Sequence, residues 1–206
     1  LISAVYRRYK TFTGKTVPGL VGAKDLDDEM AAEMTDLLFG ACTVCGRCTM
    51  HCSIGVDISY LVRCGRQMLS RMGLVPETLQ STVNAALTTG NNMSISEDDF
   101  VETIKWLEED LQMEVNNDDA RIPLNEPDKK LLYTLNPREP KFFPLSISAM
   151  AKVFYAAGES WTLSTRMYDV TNYAYYTVNN EEASIITKRL YDEMENMNAG
   201  TCVLAE

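Results

Sequence analysis

Four of the six cysteines in the chain lie between residues 42 and 52. This segment reads C-T-V-C-G-R-C-T-M-H-C, which places Cys42, Cys45, Cys48 and Cys52 at the spacing C-x2-C-x2-C-x3-C. The spacing is typical of the ferredoxin loop, which binds a [4Fe-4S] cluster through thiolates. Two-residue gaps let a tight loop turn successive sulfur atoms inward, and Gly46 lets the backbone approach a cluster closely. The sequence therefore predicts a [4Fe-4S] site at these four cysteines.

Zinc and disulfide bonds are the alternative uses of clustered cysteines. A zinc knuckle usually separates two C-x2-C pairs by about a dozen residues or more, whereas these four cysteines lie within eleven residues. Disulfide frameworks are typical of small secreted domains, and nothing in the sequence indicates that context. The spacing therefore favours the iron–sulfur cluster over both alternatives.

The sequence leaves the fourth ligand open. In ferredoxins with two clusters, the last cysteine of such a run ligates the other cluster, and no second run is present here. Either Cys52 or Cys64 completes the site, or an upstream motif does so. For Cys64, a half-buried structural thiol is the favoured interpretation because free cysteines are commonly buried. Cys202 lies in a predicted strand, where core packing is expected, and the single histidine, His51, is expected to face solvent.

Composition limits the possible partners and the setting. Nineteen basic residues against 29 acidic residues give a formal net charge of -10, which disfavours nucleic acid and anionic membrane surfaces as partners. No apolar run approaches the roughly 18 residues that span a bilayer. Because the sequence begins with Leu1 and ends directly after a predicted strand, we expect the natural subunit to extend beyond it.

The first half of the chain is predicted to be helical. Apolar residues recur at helical spacing, and acidic residues crowd the first turn of the first predicted helix, at Asp25. Helices are predicted over residues 25–39 and 57–72, then from Pro76 to Thr89 and from Ser96 to at least Leu111. The cysteine-rich segment 41–56 is predicted to be a loop.

The second half is predicted to be α/β. The polar segment 116–127 is typical of a linker. Strands are predicted over 130–135, 160–163 and 200–205, with helices over 146–157 and 181–197 between them. This alternation is typical of an open α/β sheet. The predicted fold class is α+α/β, with a helical [4Fe-4S] ferredoxin-like domain over residues 1–117 followed by a small open α/β unit over residues 118–206.

The cysteine run continues into G-V-D-I-S-Y-L-V-R-C-G-R-Q-M-L-S-R-M-G-L-V-P, and together they resemble the helical ferredoxin domain of heterodisulfide-reductase-related iron–sulfur proteins. The resemblance covers residues 25–90 well and the second half more loosely. It implies an electron-relay role for Cys42, Cys45, Cys48 and Cys52. It also implies a second domain with paired CCG-type motifs, which holds a further cluster or a reactive thiol site in that family.

This chain departs from the family pattern at two places. Ser53 stands where the family usually has a proline after the fourth cysteine. Tyr173, Tyr175 and Tyr176 stand where relatives often carry paired cysteines. The disulfide or quinone chemistry of the family therefore falls on no residue of this sequence.

Three functions follow as hypotheses. The first is an iron–sulfur electron-transfer subunit of an anaerobic, cytoplasmic oxidoreductase complex, relaying single electrons through the [4Fe-4S] cluster. Its expected partners are other subunits of a redox complex, including a membrane cytochrome subunit. The alternative is a catalytic subunit that reduces a disulfide or related substrate at a second site outside this stretch. The third is a scaffold with a purely structural cluster.

Overall fold

A computed structural model describes residues 1–205 of the chain, which form two compact units. The first unit comprises Leu1–Gln80 together with Tyr175–Asn179. The second unit comprises Ser81–Ala174 and the chain from Asn180 onward. The division falls within helix α6, Glu77–Thr89.

The first unit is helical. Asp27 caps α3 by accepting the backbone N–H of Met30 at 2.8 Å, so this helix begins three residues after the predicted start at Asp25. Asp57 caps α5 in the same way through Tyr60 at 3.0 Å. The helices are α1 (Ile2–Lys10), α2 (Phe12–Thr16), a 3-10 turn (Pro18–Val21), α3 (Asp28–Thr35), a π-helical turn (Asp36–Gly40), α4 (Arg47–Met50) and α5 (Ile58–Arg71).

The core of the first unit lies among α1, α3, the π-helical turn and α5. Its buried side chains are Val5, Met30, Met34, Leu38, Phe39 and Leu69. Helix α1 was not predicted from the sequence, because its apolar positions are few and are interrupted by arginines and a lysine. Val5 is its one buried residue, and through it α1 joins the same core as Leu69 on α5.

The second unit combines helices with a small parallel sheet. Strands β1 (Leu131–Tyr133), β2 (Trp161–Thr162) and β3 (Thr201–Val203) pair in the order β2-β1-β3. The further helices of the chain are α7 (Glu97–Val115), α8 (Arg138–Phe142), α9 (Leu145–Ala157), α10 (Ala174–Thr177) and α11 (Asn180–Asn196). Each of the three predicted strands is present and shorter than expected. Within residues 1–205, no helix has the length and apolar character needed to cross a bilayer.

Helix α7 explains why the units do not divide at the predicted boundary between residues 117 and 118. Its buried face, with Phe100, Ile104, Leu107 and Leu111, belongs to a core that also contains Leu135 and Ile147. The Phe100 ring stacks on the Tyr168 ring, with 4.1 Å between their centroids. Residues 81–117, which the sequence assigned to the helical domain, therefore belong to the second unit.

Candidate iron–sulfur site

The four clustered cysteines lie on one segment between the π-helical turn and α5. Gly46, with a φ of 77°, precedes the short helix α4, and its carbonyl accepts the backbone N–H of Met50 at 3.1 Å. Cys48 lies within α4, whereas the sequence predicted only loop here. A positive φ strains any residue with a Cβ, so glycine suits this position between Cys45 and Arg47.

The turn between the first two cysteines contains a strained residue. Val44 has a φ of 55°, which is rare for a β-branched side chain and costs on the order of 1–3 kcal/mol. In this conformation its backbone N–H donates to the Sγ of Cys42, with 3.4 Å between the two atoms. Strained backbone clusters at functional sites, which agrees with a ligand-holding turn.

Backbone and side-chain donors stabilise thiolates in this segment. The N–H of Val56 donates to the Sγ of Cys52 at 3.3 Å. A backbone N–H of Arg47 and the hydroxyl of Thr43 lower the pKa of the Cys45 thiol, and the charge of Arg47 acts in the same direction. Because the thiolate is the form that binds metal, these donors favour ligation.

The chemistry of the donor set fits a cubane cluster. Cys45 and Cys48 are exposed, and Cys42 and Cys52 are half-buried. In residues 1–205, no group of three His, Cys, Asp or Glu side chains is placed to hold a single metal ion. A cubane does not need such a group, because each of its four thiolates binds a different iron atom. N–H···S hydrogen bonds usually support these thiolates.

Hydrogen bonds of Thr49 connect the cysteine segment to the start of α5. Its hydroxyl lies 3.0 Å from Asp57 Oδ1 and 2.9 Å from Ser59 Oγ, and it accepts the Ser59 backbone N–H at 3.0 Å. The backbone N–H of Tyr60 and the Thr49 hydroxyl lower the pKa of Asp57. The capping residue of α5 therefore also positions the helix that carries Cys48.

Arg66, on α5, contacts the backbone at the start of the cysteine run. Its Nε donates to the Leu38 carbonyl at 2.8 Å, and another guanidinium nitrogen donates to the Cys42 carbonyl. The hydroxyl of Tyr176 donates to the same Cys42 carbonyl at 2.9 Å. Sequence analysis assigned neither residue to the site. A charge at a helical spacing from the apolar Val62 and Leu69 was the available signal for Arg66. For Tyr176 the signal was its position where relatives often carry paired cysteines.

The other cysteines lie in different surroundings. Cys64 lines an apolar cavity of about 1040 Å³ beside α1 and α3, and its hydrogen bond with the Tyr60 hydroxyl raises the pKa of Tyr60. Cys202 lies on β3, where burial raises the pKa of its thiol. His51 is exposed, as the sequence led us to expect.

The motif and its geometry together define a candidate cluster-binding chain. Over 95 residues, it is 35% identical to the Hdr-like menaquinol oxidoreductase iron-sulfur subunit 2 of Archaeoglobus fulgidus. It is also 34% identical over 94 residues to the Hdr-like menaquinol oxidoreductase iron-sulfur subunit of Archaeoglobus profundus. Each alignment covers 46% of this chain and 17% of the relative. No protein-family model and no solved structure matches the chain.

Both relatives are named as iron–sulfur subunits of Hdr-like menaquinol oxidoreductases. The match spans only about a sixth of the relatives' length, 17% in each case.

Proposed function

We propose that this chain is an electron-transfer component of a heterodisulfide-reductase-like oxidoreductase complex and holds one [4Fe-4S] cluster through Cys42, Cys45, Cys48 and Cys52. The observation that carries the proposal is the C-x2-C-x2-C-x3-C run on a segment whose backbone N–H groups donate to Cys42 and Cys52. Iron–sulfur subunits among its relatives support the same conclusion.

We assign the fourth ligand to Cys52 rather than Cys64. The Cys52 sulfur accepts a backbone N–H from Val56, as cluster-ligating sulfurs commonly do. Cys64 instead lines the apolar cavity beside α1 and α3. Cys64 is therefore proposed as a packing residue.

When bound, such a cluster supplies one-electron chemistry at a potential within roughly -700 to +450 mV. The residues of this chain hold the thiolates and limit access to them. Cys45 and Cys48 are exposed, whereas Cys42 and Cys52 are half-buried. Because electron transfer weakens with distance, the side bearing Cys45 and Cys48 is the proposed edge for exchange with a partner.

The partners in this proposal are other subunits of a redox complex. The relatives are named as subunits of menaquinol oxidoreductases, so a quinol-linked complex with a membrane cytochrome subunit is the proposed setting. Thiolate ligands must stay reduced before the cluster is inserted, which favours the cytoplasm as the compartment.

The alternative function, catalytic reduction of a disulfide, needs a reactive thiol or a second cluster. Outside the run the sequence offers Cys64 and Cys202. A raised pKa makes the Cys202 thiol a poor nucleophile at neutral pH. In place of the paired cysteines of the resemblance, Tyr176 donates its hydroxyl proton to a backbone carbonyl. No contact in residues 1–205 favours this alternative.

The test is the iron and acid-labile sulfide content of the anaerobically purified natural protein, with electron paramagnetic resonance after dithionite reduction. About four of each per chain with a spin-half signal is the expected result. About eight would favour the catalytic alternative, and zinc without iron would refute the proposal. Cys45→Ser should abolish or convert the cluster, whereas the matched control Cys202→Ser should keep it.

A further inference from the structure

Arg66 carries a buried positive charge without a negative partner among residues 1–205. Its side chain is fully buried, at 0% exposure. The ion pairs in the described part of the chain all involve other residues. Burying an unpaired ion costs several kcal/mol even after the protein relaxes. A function that requires the positive charge would explain why the protein retains it.

The hydrogen-bond acceptors and the aromatic contacts of Arg66 are neutral. Its guanidinium donates to the carbonyls of Leu38, Cys42 and Tyr176. The Leu38 carbonyl belongs to the π-helical turn, Asp36–Gly40, and π-helical turns are frequent at functional sites. The ring centroids of Phe39 and Tyr176 lie 5.1 and 3.8 Å from the guanidinium carbon. Carbonyl dipoles and ring faces stabilise a cation, but they leave its charge uncompensated.

One of these carbonyls belongs to the first cysteine of the run. The Cys42 carbonyl accepts from the guanidinium of Arg66 and from the Tyr176 hydroxyl. The Cys42 thiol meanwhile accepts the Val44 N–H. The uncompensated charge therefore lies against the backbone of a proposed cluster ligand.

We propose that Arg66 is the buried counter-charge of the iron–sulfur cluster and raises its reduction potential. The inference rests on the proposed function. Four thiolates make the ligated cluster a net anion, and reduction by one electron adds one negative charge without making or breaking a bond. A buried cation stabilises the more negative, reduced state more than the oxidised state. Tyr176 is the positioning residue that holds the guanidinium and the Cys42 carbonyl together.

A purely structural role for Arg66 is the competing explanation. Its three carbonyl acceptors connect α5 to the π-helical turn, to the cysteine segment at Cys42 and to α10. These hydrogen bonds alone could explain why an arginine is present. The two explanations differ in two measurable quantities. A counter-charge sets the cluster potential, whereas a structural tie sets the stability of the protein without its cluster.

The experiment compares Arg66→Met with Arg63→Met in the cluster-loaded chain. Arg63 lies on the same helix but is exposed, so solvent and salt screen its charge. The readout is a mediated redox titration followed by electron paramagnetic resonance. At a fixed potential the ratio of reduced to oxidised cluster should fall at least tenfold in Arg66→Met, which is about 59 mV for one electron. In Arg63→Met it should change less than about threefold.

Each result decides the matter. An unchanged potential in a cluster-bearing Arg66→Met overturns the inference while leaving the proposed function intact. Wild-type protein that takes up no cluster overturns the proposed function itself. If Arg66→Met binds no cluster, circular dichroism of the cluster-free proteins decides. Unchanged helicity and thermal midpoint support the counter-charge, because only the anion then needs Arg66, whereas a melted protein shows a structural role.

Discussion

Leu69→Ala tests whether the packing beneath the candidate site holds α5 in place. Leu69 is fully buried, at 0% exposure, in the core of the first unit. Truncating a buried leucine costs about 2–5 kcal/mol, because hydrophobic transfer is lost and a cavity remains. A unit of 85 residues is expected to be stable by only about 4–13 kcal/mol. The substitution should therefore remove a large fraction of the stability of this unit.

The assay is hydrogen exchange of peptides covering Ile58–Arg71 in the cluster-free chain. At about 1.4 kcal/mol per tenfold change, protection should fall by about 30-fold to several thousand-fold. Leu61→Ala is the matched control on the same helix, because Leu61 is 42% exposed and truncation there leaves no enclosed cavity. Its protection should fall by less than about tenfold. Equal losses in the two variants would refute the placement of Leu69 in the core.

Two further substitutions address the capping residue of α5 and the core of the second unit. The pKa of Asp57 is lowered in the folded chain, so its stabilising effect is complete above about pH 4 and is lost as the pH falls through the folded pKa. Exchange protection of α5 should therefore decrease more steeply on acidification in the wild type than in Asp57→Asn; equal pH dependence in both would contradict this. The Tyr168 hydroxyl is buried and has no hydrogen-bond partner in residues 1–205, so Tyr168→Phe should stabilise the second unit by about 1 kcal/mol. The urea midpoint from tryptophan fluorescence measures this, and a lower midpoint would show that the hydroxyl is satisfied.

The features predicted from sequence are those that depend on neighbouring residues. The cysteine run is visible because its four members lie within eleven residues, and its assignment as a [4Fe-4S] site stays a prediction. Helices α5 and α7 are visible because Asp57 and Ser96 cap their first turns and apolar residues recur on one face. Strand ends were less accurate: β2 covers two residues, Trp161 and Thr162, where four were predicted.

The features that sequence analysis missed depend on distant residues. The boundary between the units follows the partners of α7, and these include Leu135 and Ile147, far along the chain. The bond from Arg66 to the Tyr176 carbonyl joins residues 110 positions apart. A single sequence gives no information about such pairs.

Arg66 can nevertheless be noticed in the local sequence pattern, because it interrupts the apolar face of α5 between Val62 and Leu69. Natural sequences interrupt an apolar helix face mainly at functional sites, where the function compensates for the lost stability. Here the cost is a buried guanidinium at 0% exposure with neutral partners in residues 1–205. An anion bound at the adjacent Cys42 would offset that cost, which links cluster loading to the stability of the first unit. Arg66, which breaks the helical pattern, is thus the residue best placed to couple the proposed cluster to the fold.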